Sequence, residues 1–127
     1  MITDYLQDAL IALRPETPNW YRWKKVDSNG NVIPNDQRMT YENTESKIDG
    51  VTKPTLDEVN AKIAEIKLDE VRLVRNAKLA ETDWVVTMHK ELGTNIPTAW
   101  KTYRQALRDI TDTDTSLDDV VWPEKPE

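Results

Sequence analysis

The chain has 127 residues, a formal net charge of −6, no cysteine and a single histidine, with 38% hydrophobic and 31% charged residues. That length suits one ordinary domain or two very small ones, and the composition is polar without being that of a disordered protein. The lack of cysteine excludes disulfides, thiol nucleophiles and cysteine-bound metal sites, and one histidine leaves few other metal sites.

The negative charge is concentrated near the C-terminal end. Residues 1–108 contain 16 acidic and 16 basic side chains, whereas residues 109–127 contain seven acidic ones against Lys125 alone. A neutral body with an acidic tail is a poor binder of nucleic acid, because that affinity comes from Lys and Arg. No apolar run suits a signal peptide or a membrane span, so we expect a cytosolic protein that binds neither nucleic acid nor membrane.

Residues 1–52 are predicted to form a small α+β region. An amphipathic helix ending before Pro15 is indicated by apolar residues at helical spacing, namely Ile2, Leu6, Ala9, Leu10 and Leu13. Asn29-Gly30 predicts the turn of an antiparallel β-hairpin over residues 20–33. Residues 38–42 could add a third strand, giving a meander, before a polar loop begins at Asn43.

Two tryptophans mark the first predicted strand. Trp20 and Trp23 are three residues apart, so in a strand their rings face opposite sides. We expect one ring in the core, while the tryptophan-bearing sheet could dock a partner or stack on a base or sugar.

Residues 53–81 are predicted to be a long connecting helix. Thr55 and Glu58 form a T-x-x-E capping box, so the helix should begin at Leu56 and run for about 25 residues, or roughly 38 Å. Its apolar stripe is predicted to be Leu56, Val59, Ile63, Ile66, Leu73, Ala77 and Ala80. Three apolar residues off that stripe suit either a partner helix, giving a homo-oligomer through the long helix, or coverage by the C-terminal helix: Leu68, Val71 and Leu79.

Residues 82–127 are predicted to be a small helical domain with an extended acidic tail. The first helix has Thr82 or Asp83 as N-cap and ends at Gly93. The second begins near Pro97 and places on one face Trp100, Tyr103, Leu107 and Ile110. In the tail, Trp122 could anchor the chain to the helices or contact another protein.

The residues give no support for catalysis, a cofactor or a metal. His89 has no suitably placed partner and is predicted to be an exposed helical residue. The three glycines are far apart, so no phosphate-binding loop is possible, and the paired aspartates of the tail lack the loop of a calcium site. We therefore expect a non-enzymatic protein.

Three separated blocks near the C-terminus resemble the C-terminal domain of the phage tail assembly chaperone family, small proteins of tailed bacteriophages found near tail-fibre genes. The first block is matched by Arg75, Leu79, Thr82, Asp83 and Trp84. The second is matched by Trp100, Tyr103, Arg104, Gln105, Ala106, Leu107, Arg108 and Asp109, and the third by Trp122, Pro123 and Pro126.

The resemblance implies mostly structural roles for these residues. It implies a helical core made of Trp84, Trp100, Tyr103 and Leu107. It also implies that Asp83 caps the helix that ends at Gly93, and that Arg75 and Arg104 pair with Asp109 or with the tail. If Trp122 is docked, the surrounding acids are expected to lie across Arg104 and Arg108.

The function implied is help with assembly of a phage tail or tail fibre through protein–protein binding, in the host cytoplasm. The alternative is a permanent small subunit of the virion tail that joins the fibre to the baseplate or tube. The implied partner is a tail or tail-fibre protein in either case.

Overall fold

The computed structural model describes residues 2–127, with side chains from Tyr5 onward. The helices are α1 (Ile2–Leu13), α2 (Leu56–Glu81), α3 (Asp83–Leu92) and α4 (Thr98–Arg108), and the strands are β1 (Tyr21–Trp23) and β2 (Thr44–Ser46). Short 3-10 helices cover Asn35–Gln37 and Ile110–Asp112. The predicted α+β class, with an N-terminal helix, a small antiparallel sheet, a long central helix and C-terminal helices, is confirmed.

The chain divides into two compact units, and the division falls inside α2. Unit 1 comprises the described residues up to Ile66, and unit 2 is Lys67–Glu127. The long helix therefore contributes its first part to one unit and its last part to the other. The three-part organisation expected from the sequence, with boundaries near residues 52 and 81, stays a prediction.

The core of unit 1 is built around Trp20. This ring is fully buried with Leu6, Ala9 and Leu10 of α1 and Val59 of α2. Its Nε1–H donates a 2.9 Å hydrogen bond to the backbone carbonyl of Leu10, which lies in the last turn of α1, where carbonyls have no helical partner. The indole is thus buried without losing a hydrogen bond. Trp20 is the core tryptophan of the expected pair.

The sheet has a different strand pairing from the predicted one. β1 is antiparallel to β2, with Trp23 opposite Thr44 and Tyr21 opposite Ser46. β2 lies in the segment expected to be a polar loop, and the predicted strand over residues 38–42 is wrong, since turns occupy that segment. Thr44 is buried, and its Oγ1–H donates a 2.8 Å bond to the carbonyl of Thr40. Those turns therefore bring a polar but well-bonded strand against β1.

The hairpin predicted over residues 20–33 forms its turn, but its two arms do not pair as strands, because β1 in the first arm pairs with β2 instead. Gly30 has a φ of +83°, and the Asp27 carboxylate accepts the backbone N–H of Asn29 at 2.9 Å. Beyond the turn, the arms form one isolated bridge, between Val26 and Val32. These valines are 50% and 73% exposed, so longer strands would bury little apolar surface.

The capping box that opens α2 is present. The Glu58 Oε1 atom accepts the backbone N–H of Thr55 at 3.1 Å, and Thr55 Oγ1 accepts the backbone N–H of Glu58 at 3.1 Å. α2 begins at Leu56, as predicted, and spans 26 residues. Because no proline or glycine lies inside it, the helix continues from one unit into the next.

The predicted apolar stripe of α2 agrees with the buried residues only in its first part. Val59 is buried in unit 1, and Ile63 and Ile66 pack against the same core. In unit 2 the buried residue is Val71, which lies off the predicted stripe, whereas Leu73 is 72% exposed. Leu73, Ala77 and Ala80 are exposed. The helix serves a separate core in each unit, so a single stripe does not describe both.

Replacing Thr55 by alanine should lower the free energy of unfolding by about 1 kcal/mol, because the first turn of α2 loses its cap. Hydrogen bonds from the Thr55 backbone and side chain hold the pKa of Glu58 below its ordinary value of 4.5. The associated stability is present above that ordinary value and is lost as the pH falls through the lower folded-state pKa. Urea unfolding at neutral and acid pH tests this.

The matched control is Thr52→Ala, since the Thr52 side chain makes none of these bonds. We expect the loss for Thr55→Ala to shrink in acid, and a loss equal to that of the control at neutral pH would contradict the account.

Candidate protein-binding site

The core of unit 2 lies between α2, α3 and α4, and it differs from the predicted core at Trp84. Tyr103 and Leu107 of α4 are buried, together with Val71, Val85 and Ile110. The prediction that Trp84 belongs to this core is wrong, because its side chain is 59% exposed and the neighbouring Val85 is buried instead. Adjacent residues of a helix point about 100° apart. The apolar arc of α3 is therefore centred nearer to Val85 than to Trp84.

Arg104 joins the end of α2 to the start of α3. Its Nη1 donates to the carbonyl of Leu79 at 2.9 Å and to Thr82 Oγ1 at 2.7 Å. Its Nη2 donates to Asp83 Oδ1 at 2.8 Å. The Arg104 side chain is only 14% exposed, and Thr82 is fully buried. One planar guanidinium thus satisfies a carbonyl at the helix end and two side chains of the junction.

This geometry corrects the roles implied for the first block. Thr82 is the N-cap residue of α3 by position, but its side chain makes no capping hydrogen bond. Asp83 is the first residue of α3 and does not cap it, although its charge there favours the helix dipole. The expected pairing of Arg104 with Asp109 or the tail is wrong, because the junction residues occupy its guanidinium.

Arg75 also lacks the predicted acidic partner. Its Nε donates to Asn76 Oδ1 at 2.9 Å, and its Nη1 lies 3.4 Å from the carbonyl of Arg108. Asp109 accepts instead from the Gln105 amide at 3.0 Å. Arg75 therefore contacts the C-terminal end of α4 through a backbone carbonyl and not through a carboxylate.

α3 carries an exposed apolar stripe beside the core. Trp84, Met88 and Leu92 are 59%, 37% and 67% exposed and follow i, i+4 spacing, so they share one face of the helix. The Trp84 ring meets the half-buried Trp100 edge to face at 6.4 Å, and Trp100 meets Tyr103 at 6.3 Å. A row of aromatic rings thus runs from the buried core to the exposed stripe.

The acidic tail is held against the helices by its third block. Lys78 Nζ lies 5.2 Å from the centroid of the half-buried Trp122 ring, and Lys125 pairs with Glu81 at 3.1 Å. Residues 123–127 line a cleft with Ala99, Tyr103 and Ala106 of α4. The expectation that the acids around Trp122 lie across Arg104 and Arg108 is wrong, because among the described residues neither arginine forms an ion pair with an acid of the tail.

Besides this cleft, α4 lines a groove that the sequence analysis does not predict, called here the basic groove. It has a volume of about 710 Å³, an apolar part formed by Val86, Ile96 and Ala106, and basic side chains at Lys101, Arg104 and Arg108. The i, i+3, i+7 spacing of these cations along α4 is the signal from which it could have been found.

The remaining sequence candidates are placed as follows. Trp23 is half-buried and meets Tyr21 edge to face at 5.4 Å, whereas Trp20 has no exposed surface. His89 is half-buried, and its Nδ1 lies 2.7 Å from Thr94 Oγ1, which makes it part of the α3 terminus and not a solvated side chain. Gly93 ends that helix with a φ of +69°, as predicted.

The described part of the chain has neither a cluster of metal-binding side chains nor a membrane-spanning helix. Among those residues, no group of three or more histidine and acidic side chains is placed to hold a metal ion. No described helix is long and apolar enough to cross a membrane.

Replacing Arg104 by lysine should lower the free energy of unfolding by about 2 kcal/mol, because an ammonium cannot reach all three acceptors at once and the junction loses hydrogen bonds from a charged donor. Arg108→Lys is the matched control, since among the described residues the Arg108 side chain bonds to the exposed Gln105 alone, and it should change stability by less than about 0.5 kcal/mol. Chemical denaturation measures both, and equal effects of the two substitutions would refute the role of Arg104.

Comparison with known proteins bears on unit 2. The model of the family described as phage tail assembly chaperone protein matches residues 68–127, a segment that contains Trp84, Trp100, Arg104 and Trp122. No curated protein and no solved structure matches the chain. The family is a non-enzymatic kind of protein. The resemblance predicted from the three sequence blocks is confirmed, because residues 68–127 match the model of the phage tail assembly chaperone family.

Proposed function

We propose that this protein assists assembly of a phage tail or tail fibre by binding a tail protein through the exposed stripe of α3, in the host cytoplasm. The family match supports the assembly role. The single observation that carries the binding site is the stripe formed by Trp84, Met88 and Leu92 within the matched segment.

The physical argument for this stripe is the free energy that its burial would release. A few residues contribute most of the binding energy at protein interfaces, tryptophan prominent among them, and a well-packed tryptophan is commonly worth about 2 kcal/mol or more. Trp84 rests edge to face on Trp100, so its ring is already held and loses little conformational freedom on binding. A partner that covers α3 would bury all three side chains together.

A second candidate function is a permanent subunit of the virion tail. The observation that favours it is the exposed Leu73, Ala77 and Ala80 face of α2, which a lasting neighbour, or a second copy in a homo-oligomer, would keep from water. In this alternative the chain joins the fibre to the baseplate or tube and uses α2, or the sheet bearing Trp23, as a second docking surface.

Replacing Trp84 and Met88 together by serine should reduce the yield of complete tails in the parent phage at least tenfold. The reason is loss of partner binding. The unfolding free energy should fall by about 1 to 2 kcal/mol, because the contact of Trp84 with Trp100 is lost while the buried core stays intact, so the variant remains folded. Particle counts by electron microscopy give the yield. Val32→Ser is the control, because Val32 is 73% exposed and lies in unit 1, outside the stripe. Normal tails from the double variant would refute this binding site.

Mass spectrometry of purified particles separates the two functions. An assembly chaperone should be absent from finished particles, whereas a tail subunit should be present at a fixed number of copies. A fixed copy number would reject the chaperone proposal in favour of the subunit.

A further inference from the structure

Charge is separated within unit 2. Residues 67–108 contain eight Lys and Arg against five Asp and Glu, while residues 109–127 contain seven acids against one lysine. The helices of this unit are therefore basic and its tail is acidic.

Part of this basic charge lies at the basic groove of α4. Lys101 and Arg108 line it with Val86, Ile96 and Ala106. Neither cation has an ion-pair partner among the described residues, and Arg104 at the same groove is already engaged by Asp83. The groove thus combines two unneutralised cations with an apolar wall.

The tail carries acidic side chains on a turn that hydrogen bonds hold in place. The buried Ser116 anchors this turn: its Oγ accepts the backbone N–H of Asp118 at 3.2 Å, and its carbonyl accepts that of Asp119 at 3.1 Å. Asp118 and Asp119 are exposed and lie between Leu117 and Val121, which are 39% and 79% exposed. The turn 117–121 therefore offers two carboxylates flanked by two apolar side chains.

We propose that the turn 117–121 of one copy of this chain docks into the basic groove of a second copy. Within one chain the tail is held elsewhere, by Trp122 at Lys78 and by the Lys125–Glu81 pair. Its last residues line the neighbouring cleft beside Ala99 and Tyr103 of α4. Charge and apolar character are both complementary between the groove and the turn, and both features lie on every copy.

A charge exchange tests this proposal on the full-length protein. Lys101→Glu with Arg108→Glu gives a chain with an acidic groove and an acidic turn, and Asp118→Lys with Asp119→Lys gives one with a basic groove and a basic turn. Each variant alone should self-associate at least tenfold more weakly than the unchanged chain, because like charges then meet. A mixture of the two variants should associate again, since each groove then meets an opposite turn.

Sedimentation velocity over a range of protein concentrations gives the association constants. Association of the unchanged chain should weaken from about 0.1 M to about 1 M salt, where the Debye length falls from about 10 to about 3 Å. Lys25→Glu with Lys47→Glu makes the same charge change in unit 1 and should leave association unaltered.

The proposal is overturned if the unchanged chain is monomeric at all concentrations. It is also overturned if both double variants associate like the unchanged chain, a result that would point to the Leu73 face of α2. A mixture of the two variants that does not associate would overturn it as well. Tail yield in the Trp84 and Met88 variant reports on the proposed assembly function separately, so either proposal can fail alone.

Discussion

The hydrogen bonds of Arg104 hold unit 2 together. α2 ends and α3 begins within two residues, where the Leu79 carbonyl accepts the backbone N–H of Thr82 and the buried Thr82 hydroxyl lies beside the carbonyls of α2. Arg104, projecting from α4, bonds the carbonyl of Leu79, Thr82 Oγ1 and the Asp83 carboxylate together. All three helices are thereby fixed by one side chain. The face of α3 that bears Trp84 depends on that junction for its position.

The three family blocks have a common physical explanation in this arrangement. The first block supplies the acceptors of the junction, and the second supplies Arg104 together with the buried Tyr103 and Leu107. The third returns Trp122 to Lys78 at the end of α2. Only Trp84 is turned outward among the aromatic residues of the blocks. A residue that belongs to the motif and yet contributes little to the core suits a role in binding.

Local signals were sufficient to predict the helices, because the Thr55–Glu58 capping box and Gly93 act through neighbouring backbone groups. The partner of β1 could not be predicted, since β2 is short and polar and is held by turn hydrogen bonds such as that from Thr44 to Thr40. The burial of Val85 in place of Trp84 could not be predicted, because adjacent helical positions differ only in rotation about the helix axis, which tertiary packing decides. The acceptors of Arg104 were missed because they lie more than 20 residues away in sequence.

Hydrogen–deuterium exchange of the full-length chain and its Arg104→Gln variant tests the role of this junction most directly. We predict that amides over residues 79–86 exchange at least tenfold faster in the variant, because the helix ends lose their shared partner and open locally. Amides of β1 and β2 should be unchanged, and Arg108→Gln should resemble the unaltered protein. Unchanged exchange over residues 79–86, or an equal increase over the whole chain, would contradict the central role of Arg104.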